Sequence, residues 1–105
     1  MTAELGGARR KLLTIIYDSG MESSLTELLD ALEIPGITRI YDVMGTGGTG
    51  PKMNSPVFPG SNNLVMVSMP EDQVPRVHRA IRRLQSSYRL KPGITIFCQD
   101  VVELA

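Results

Sequence analysis

The nineteen residues from Gly45 to Asn63, GTGGTGPKMNSPVFPGSNN, separate two halves that each read as strand, helix, strand, and no other feature constrains the fold as strongly. The stretch holds five of the ten glycines and three of the seven prolines. Glycine leaves the backbone undecided, proline removes donors, and Asn and Ser side chains compete for backbone partners, so neither a helix nor a strand ladder is expected. Connections longer than roughly 12–15 residues are uncommon in compact domains and usually serve as binding loops or stay disordered. The question of function therefore starts at this loop.

In the first half, residues 1–10 lack periodicity and read as a flexible N-terminal arm, leaving residues 11–105 as a single domain. Lys11 to Asp18 is apolar on both faces, as expected of a central strand. Ser19-Gly20-Met21-Glu22 has the spacing of a capping box, although Ser23 could serve as the cap instead. The repeat of Met21, Leu25, Leu28, Leu29 and Leu32 predicts a helix to about Leu32, with Glu22, Glu27, Asp30 and Glu33 pointing elsewhere. After Pro35-Gly36, Ile37 to Met44 reads as an edge strand, because Arg39 and Asp42 break its apolar pattern.

The second half repeats the scheme. Leu64 to Met69 is again apolar on both faces, and Pro70-Glu71-Asp72 opens a helix with acids at its positive end. Val74, Val77, His78, Ile81, Leu84 and Tyr88 form its apolar stripe, and Arg76, Arg79, Arg82 and Arg83 form a basic exterior. Ile94 to Val101 is the last strand, with Cys98 as a small core residue. Two βαβ halves with right-handed crossovers imply an α+β, ferredoxin-like βαββαβ fold, a four-stranded antiparallel sheet with two helices on one face. The other face would leave an apolar patch, so self-association is expected to cover it.

A formal net charge of zero removes the bulk drive toward nucleic acid or an anionic membrane. No apolar run approaches the roughly 20 residues of a bilayer span, and no signal-peptide core precedes the domain, so a cytoplasmic protein without direct membrane insertion is expected. No catalytic constellation stands out. Gly45 to Gly50 reads as a hinge rather than an anion nest, and it lacks the strand-to-helix context and the Gly-Lys-Ser/Thr ending of a P-loop. The cluster Arg76, Arg79, Arg82, Arg83, Arg89 and Lys91 is set down as a solvated face balanced by the acidic first helix, against reception of phosphates or an acidic partner. His78 and Cys98, one of each type, offer no metal-ligand spacing, so no metal is expected.

The strand KLLTIIYD, the segment PGITRIYDVMGTG leading into the loop, VSMPED and the closing ITIFCQDVVEL resemble the P-II signalling superfamily, and the loop's Phe58-Pro59-Gly60-Ser61-Asn62 is similar to its divergent P-II-like members. The resemblance implies a homotrimer packed sheet to sheet. It further implies a non-enzymatic regulator that senses a small ligand at its subunit clefts and acts through the 45–63 loop on an unknown protein target, a membrane transporter or an enzyme. By resemblance the ligand residues are Thr38, Gly45, Gly47, Gly48, Arg89, Lys91 and Gly93, and the partner-binding residues of the loop are Lys52, Met53, Phe58 and Asn62. Phe58 could anchor in a partner's pocket or fold back on its own trimer.

The departures matter as much. Gly48 and Thr49 stand where the superfamily has its loop-base arginine and glutamine. Ser87 to Gly93 replaces the glycine-rich phosphate loop, with Pro92 removing an amide. Tight ATP–magnesium binding is therefore not expected, while a nucleotide held mainly through its base, or a small anion, stays open. The alternative is a trimeric scaffold or metal-tolerance module of the CutA type without ligand switching. Acylphosphatases share the fold but need an arginine in the turn that is here Asp18-Ser19-Gly20, so no enzyme is expected.

Overall fold

The computed structural model describes residues 6–47, 50–52 and 61–105. The strands are β1 (Gly7–Asp18), β2 (Thr38–Val43), β3 (Gly45–Gly47), β4 (Gly50–Lys52), β5 (Asn62–Met69) and β6 (Ile94–Leu104), with helices α1 (Glu22–Ala31) and α2 (Val74–Ser86). A four-stranded sheet runs in the order β2-β5-β1-β6 with every neighbour antiparallel. This is the ferredoxin-like arrangement, with β1 and β5 inside as their two apolar faces require.

Strand residues alternate between faces, so Leu13, Ile15 and Tyr17 of β1 and Val65, Val67 and Met69 of β5 share one side. All six are buried, and they pack with Met21, Leu25 and Leu29 of the first crossover and Val77 and Ile81 of the second. Both helices therefore lie on that face. On the other face, Leu12 and Ile16 of β1 stand beside Leu64 and Met66 of β5, each half-buried, while Phe97 is 55% exposed and Ile40 47%. The register sets Thr38, Met66, Thr14 and Phe97 in one row and Ile40, Leu64, Ile16 and Thr95 in the next. No element among the described residues covers these rows.

Five expectations need correction. The expected arm is strand from Gly7 onward: Gly7 to Arg10 pairs with Val101 to Leu104, extending β1 and β6 together beyond β5. Backbone pairing needs no side-chain periodicity, and Arg10 anchors the ribbon by donating to Ser68 Oγ (2.6 Å) and to the Ser68 carbonyl (3.1 Å). The loop does hold a ladder. Gly45 pairs with Lys52, Thr46 with Pro51 and Gly47 with Gly50, stopping at three pairs in a segment where Pro51 lacks a donor.

The third correction concerns the start of α1. Asp18, not Ser19, caps the turn, its Oδ1 accepting from Gly20 N at 2.8 Å, and a 3-10 turn over Ser19–Met21 sets Glu22 as the first α-helical residue, turned away from the backbone. Lastly, Cys98 shares the face of Ile94 and Ile96 but is exposed, because β6 is an edge strand and the helical layer stops short of it. His78, placed on the apolar stripe, is likewise exposed and accepts from Arg82.

Candidate functional site at the base of the loop

The loop leaves the sheet through a break in β2. Ile40 still faces Leu64 of β5, but Val43 faces Asn62, so the register slips over Tyr41 and Asp42. Asp42 sits at φ 58°, a left-handed conformation that Asp and Asn tolerate better than most side chains. Two side chains hold it there. Asn63 Oδ1 accepts from the Asp42 N–H at 3.1 Å, and Ser61 Oγ donates to Asp42 Oδ1 at 3.1 Å. Both are buried, and the Ser61 carbonyl accepts from Ser19 N.

Asn63 ties this break to the helical layer. Its amide nitrogen donates to Glu22 Oε1 at 2.8 Å, and the same oxygen accepts from Tyr17 Oη at 2.5 Å. Thr26 Oγ1 donates to Glu22 Oε2 at 2.9 Å. Arg39 Nε, itself buried, lies 3.3 Å from that oxygen but is misaligned for a hydrogen bond, so it acts as a charge rather than a donor. Burial alone would raise the Glu22 pKa, yet the bonds from Tyr17, Thr26 and Asn63 and the Arg39 charge outweigh it and hold the carboxyl below its usual value. Burial and the neighbouring carboxylate push the Tyr17 hydroxyl up to about 12. The Glu22 carboxylate, the Arg39 guanidinium and the donors of Tyr17, Thr26 and Asn63 thus form a mechanical clamp that reaches Asp42 through Asn63.

The turn before β6 is held at both ends, at the first by Tyr88 Oη donating to Ser24 Oγ. Buried Gln85 donates to the Pro92 carbonyl at 2.7 Å, Arg82 Nη1 donates to the Ile94 carbonyl at 3.0 Å, and Asp18 N donates to the Gly93 carbonyl at 3.3 Å. Arg89, Leu90 and Lys91 remain exposed beyond these anchors. Neither cation has an ion-pair partner among the described residues.

The residues expected to bind ligand fall into two groups. Gly45 lies at the foot of the loop, and a Cβ there would come within 3.2 Å of Asn62 Nδ2. Gly93 lies at the same end of the sheet but on the opposite edge: Val43, Asn62, Asp18 and Gly93 make one row across β2, β5, β1 and the start of β6. Three strand spacings separate the row's ends by about 14 Å. Thr38 stands opposite Met66, four residues along β5 from Asn62 and so about 13 Å from that row. One chain therefore does not bring the two groups together.

Of the expected loop residues, Asn62 is the first residue of β5, and Lys52 ends β4. Gly47 is in β3, and Gly48, Met53 and Phe58 lie outside the described residues. Glu22, Asn63, Tyr17 and Ser61 were not read as functional from sequence. A usable signal was there, since Asn63 and Ser61 are polar at positions where β5 otherwise points into the core. Among the described residues no three His, Cys, Asp or Glu side chains gather to hold a metal, and no helix is long and apolar enough to cross a membrane.

No family profile matches the chain, and no curated protein matches it either. Solved structures do. CPII of Thiomonas intermedia, a nitrogen regulatory PII-like protein bound to ADP, AMP and bicarbonate, superposes with a TM-score of 0.79 at 17% identity, over 96% of this chain and 93% of that one. A protein of Thermus thermophilus described as PII-like superposes with a TM-score of 0.64 at 22% identity, over 93% of this chain and 92% of that one. The apo form of CPII gives 0.65 at 15% identity, over 92% and 96%. At such identities the likeness is one of fold, and it extends over nearly the whole length of each chain: this chain has the fold of the PII-like proteins.

Proposed function

We propose that the protein is a non-enzymatic, trimeric PII-like signalling protein of the cytoplasm, which senses a small ligand at its subunit clefts and acts on a transporter or enzyme through the 45–63 loop. The observation that carries this reading is the division of the site. The foot of the loop and the Arg89–Gly93 turn stand on opposite edges at one end of the sheet, an arrangement that supports a cleft completed by a neighbouring copy. The uncovered apolar rows of the sheet supply the surface for that neighbour. A particle of about 35 kDa, three times the 11.5 kDa chain, follows.

CPII with its ADP, AMP and bicarbonate supports a nucleotide or a small anion as the ligand class here. Arg89 and Lys91 are the cations free to meet it. Mobile side chains replace oriented amides poorly, so magnesium–ATP should bind no tighter than about millimolar. The clamp around Asp42 would be the link from cleft to loop, since it joins the first turn of α1 to both stems.

Calorimetry with AMP, ADP, cyclic AMP, magnesium–ATP and bicarbonate, on the wild type and Arg89→Ala, tests the reading. Binding of one or more of the smaller ligands, weakened in the variant and accompanied by slower proteolysis near Lys52, is the expected outcome. Absence of binding by all of them, with cleavage unchanged, would leave the scaffold of the CutA type. Tight magnesium–ATP binding would show that phosphate contacts are supplied from elsewhere in the chain.

A further inference from the structure

Zero net charge conceals a separation. Leu12 to Thr38 contains five acidic residues and no lysine or arginine, whereas Val74 to Gln99 contains six lysines and arginines and no acid. The fold sets the two helices from these stretches side by side. Tyr88 Oη donates to Ser24 Oγ at 2.8 Å near the start of α1, and Arg76 Nη2 donates to the Leu32 carbonyl at 3.0 Å at its end. The helices therefore run antiparallel, and these two bonds bring Glu27 level with Arg83 and Asp30 level with Arg79.

All four charged side chains are exposed, and none has an ion-pair partner among the described residues. Arg82 differs, being committed to Gln85 and the Ile94 carbonyl. Arg79 and Arg83, with His78, Ser86 and Ser87, rim an open hollow of about 480 Å³ on α2. It lies on the helical layer, and Arg82, which also lines it, reaches the Ile94 carbonyl at the start of β6.

We propose that this helical layer is a docking surface for a second copy of the chain, whose α1 lies on the first copy's α2 and whose α2 lies on its α1. A two-fold axis parallel to the helices exchanges the acidic and basic strips and keeps residues at the same level. Glu27 of one copy then meets Arg83 of the other, and Asp30 meets Arg79, each contact formed twice. A uniformly acidic partner fits less well, because the acidic strip beside the basic one repels it. Exposed ion pairs are individually weak, so the contact is transient and controlled by salt. Association through the apolar sheet face is not, which separates the two surfaces experimentally.

Sedimentation of the full chain at about 20 mM and about 500 mM salt is the test, with the high-salt mass reporting the sheet-face assembly alone. Growth beyond that mass is expected at low salt, at least about tenfold weaker at high salt. The double substitution Arg79→Glu, Arg83→Glu should abolish the growth, as should Glu27→Arg, Asp30→Arg, while an equimolar mixture of the two variants restores it. Circular dichroism checks that both variants fold. Growth that is insensitive to salt, a mixture that fails to associate, or loss in the α2 variant but not in the α1 variant would each overturn the proposal.

Discussion

The two faces of the sheet are built from alternate residues of the same strands, yet they end in opposite circumstances. On the helical side Ile15 and Val65 are fully buried, whereas one residue further along, Ile16 and Leu64 keep partial access to water and Phe97 is mostly open. Large apolar side chains stand on both sides, although Thr14, Thr38, Ser68 and Thr95 interrupt them on the open one. What differs is whether the same chain supplies the cover, and this chain has helices for one face only. The apolar residues left without intramolecular cover are where the proposed self-association falls.

The comparison can be broken most directly by matched truncations. Ile15→Ala should cost about 3–4 kcal/mol of unfolding free energy in denaturant, with a cavity left behind. Ile16→Ala should cost under about 1 kcal/mol in dilute protein and more as concentration rises and the face becomes covered. Equal costs at every concentration would mean that the two faces are not distinct. A charge placed on the open face comes next: Phe97→Glu should weaken self-association by about 100-fold, close to 3 kcal/mol, and leave the monomer folded. Light scattering reads this, and an unchanged particle mass would move the interface elsewhere.

Smaller effects concern the loop end of the covered face, where the core turns polar. Glu22→Gln removes the charge that Arg39 faces and should cost about 1–2 kcal/mol at pH 7. The Glu22 carboxyl is depressed in the folded state, so its contribution is present above the unfolded carboxylate value and is lost as pH falls through the lower folded one. Thermal melts of the variant should therefore show a flatter acid limb than wild type. Tyr17→Phe should cost about 1 kcal/mol and act on the opposite limb. With the folded hydroxyl at about 12 and the unfolded one near its ordinary value of about 10, wild-type stability declines between those pH values, and the variant should lose that slope.

The strands, helices and their order were legible because periodicity of two or about 3.6 records which side of an element is covered. Backbone pairing leaves no such record. Nothing in the side chains of Gly7 to Arg10 announces a strand, since the partner that creates it, Val101 to Leu104, lies at the far end of the sequence. The short ladder of Gly45 to Lys52 was hidden for the same reason. The clamp was visible only in fragments: Arg39 and Asp42 stood out as breaks in an apolar strand, and Glu22 fell into a capping pattern that it does not serve. Its main bond joins Glu22 to Asn63, forty-one residues on, and local spacing carries no information about that pairing.

With the stems held at Asp42, Ser61 and Asn63 and paired at Val43 and Asn62, the register of the sheet is set without the residues that stand between them. Closing a loop between fixed ends costs only about 0.6 kcal/mol for each doubling of its length. Insertions, deletions or wholesale exchange of residues 46–60 should thus leave the register of β2 and β5 intact. The domain is a chassis onto which a different loop sequence can be grafted without renegotiating the fold.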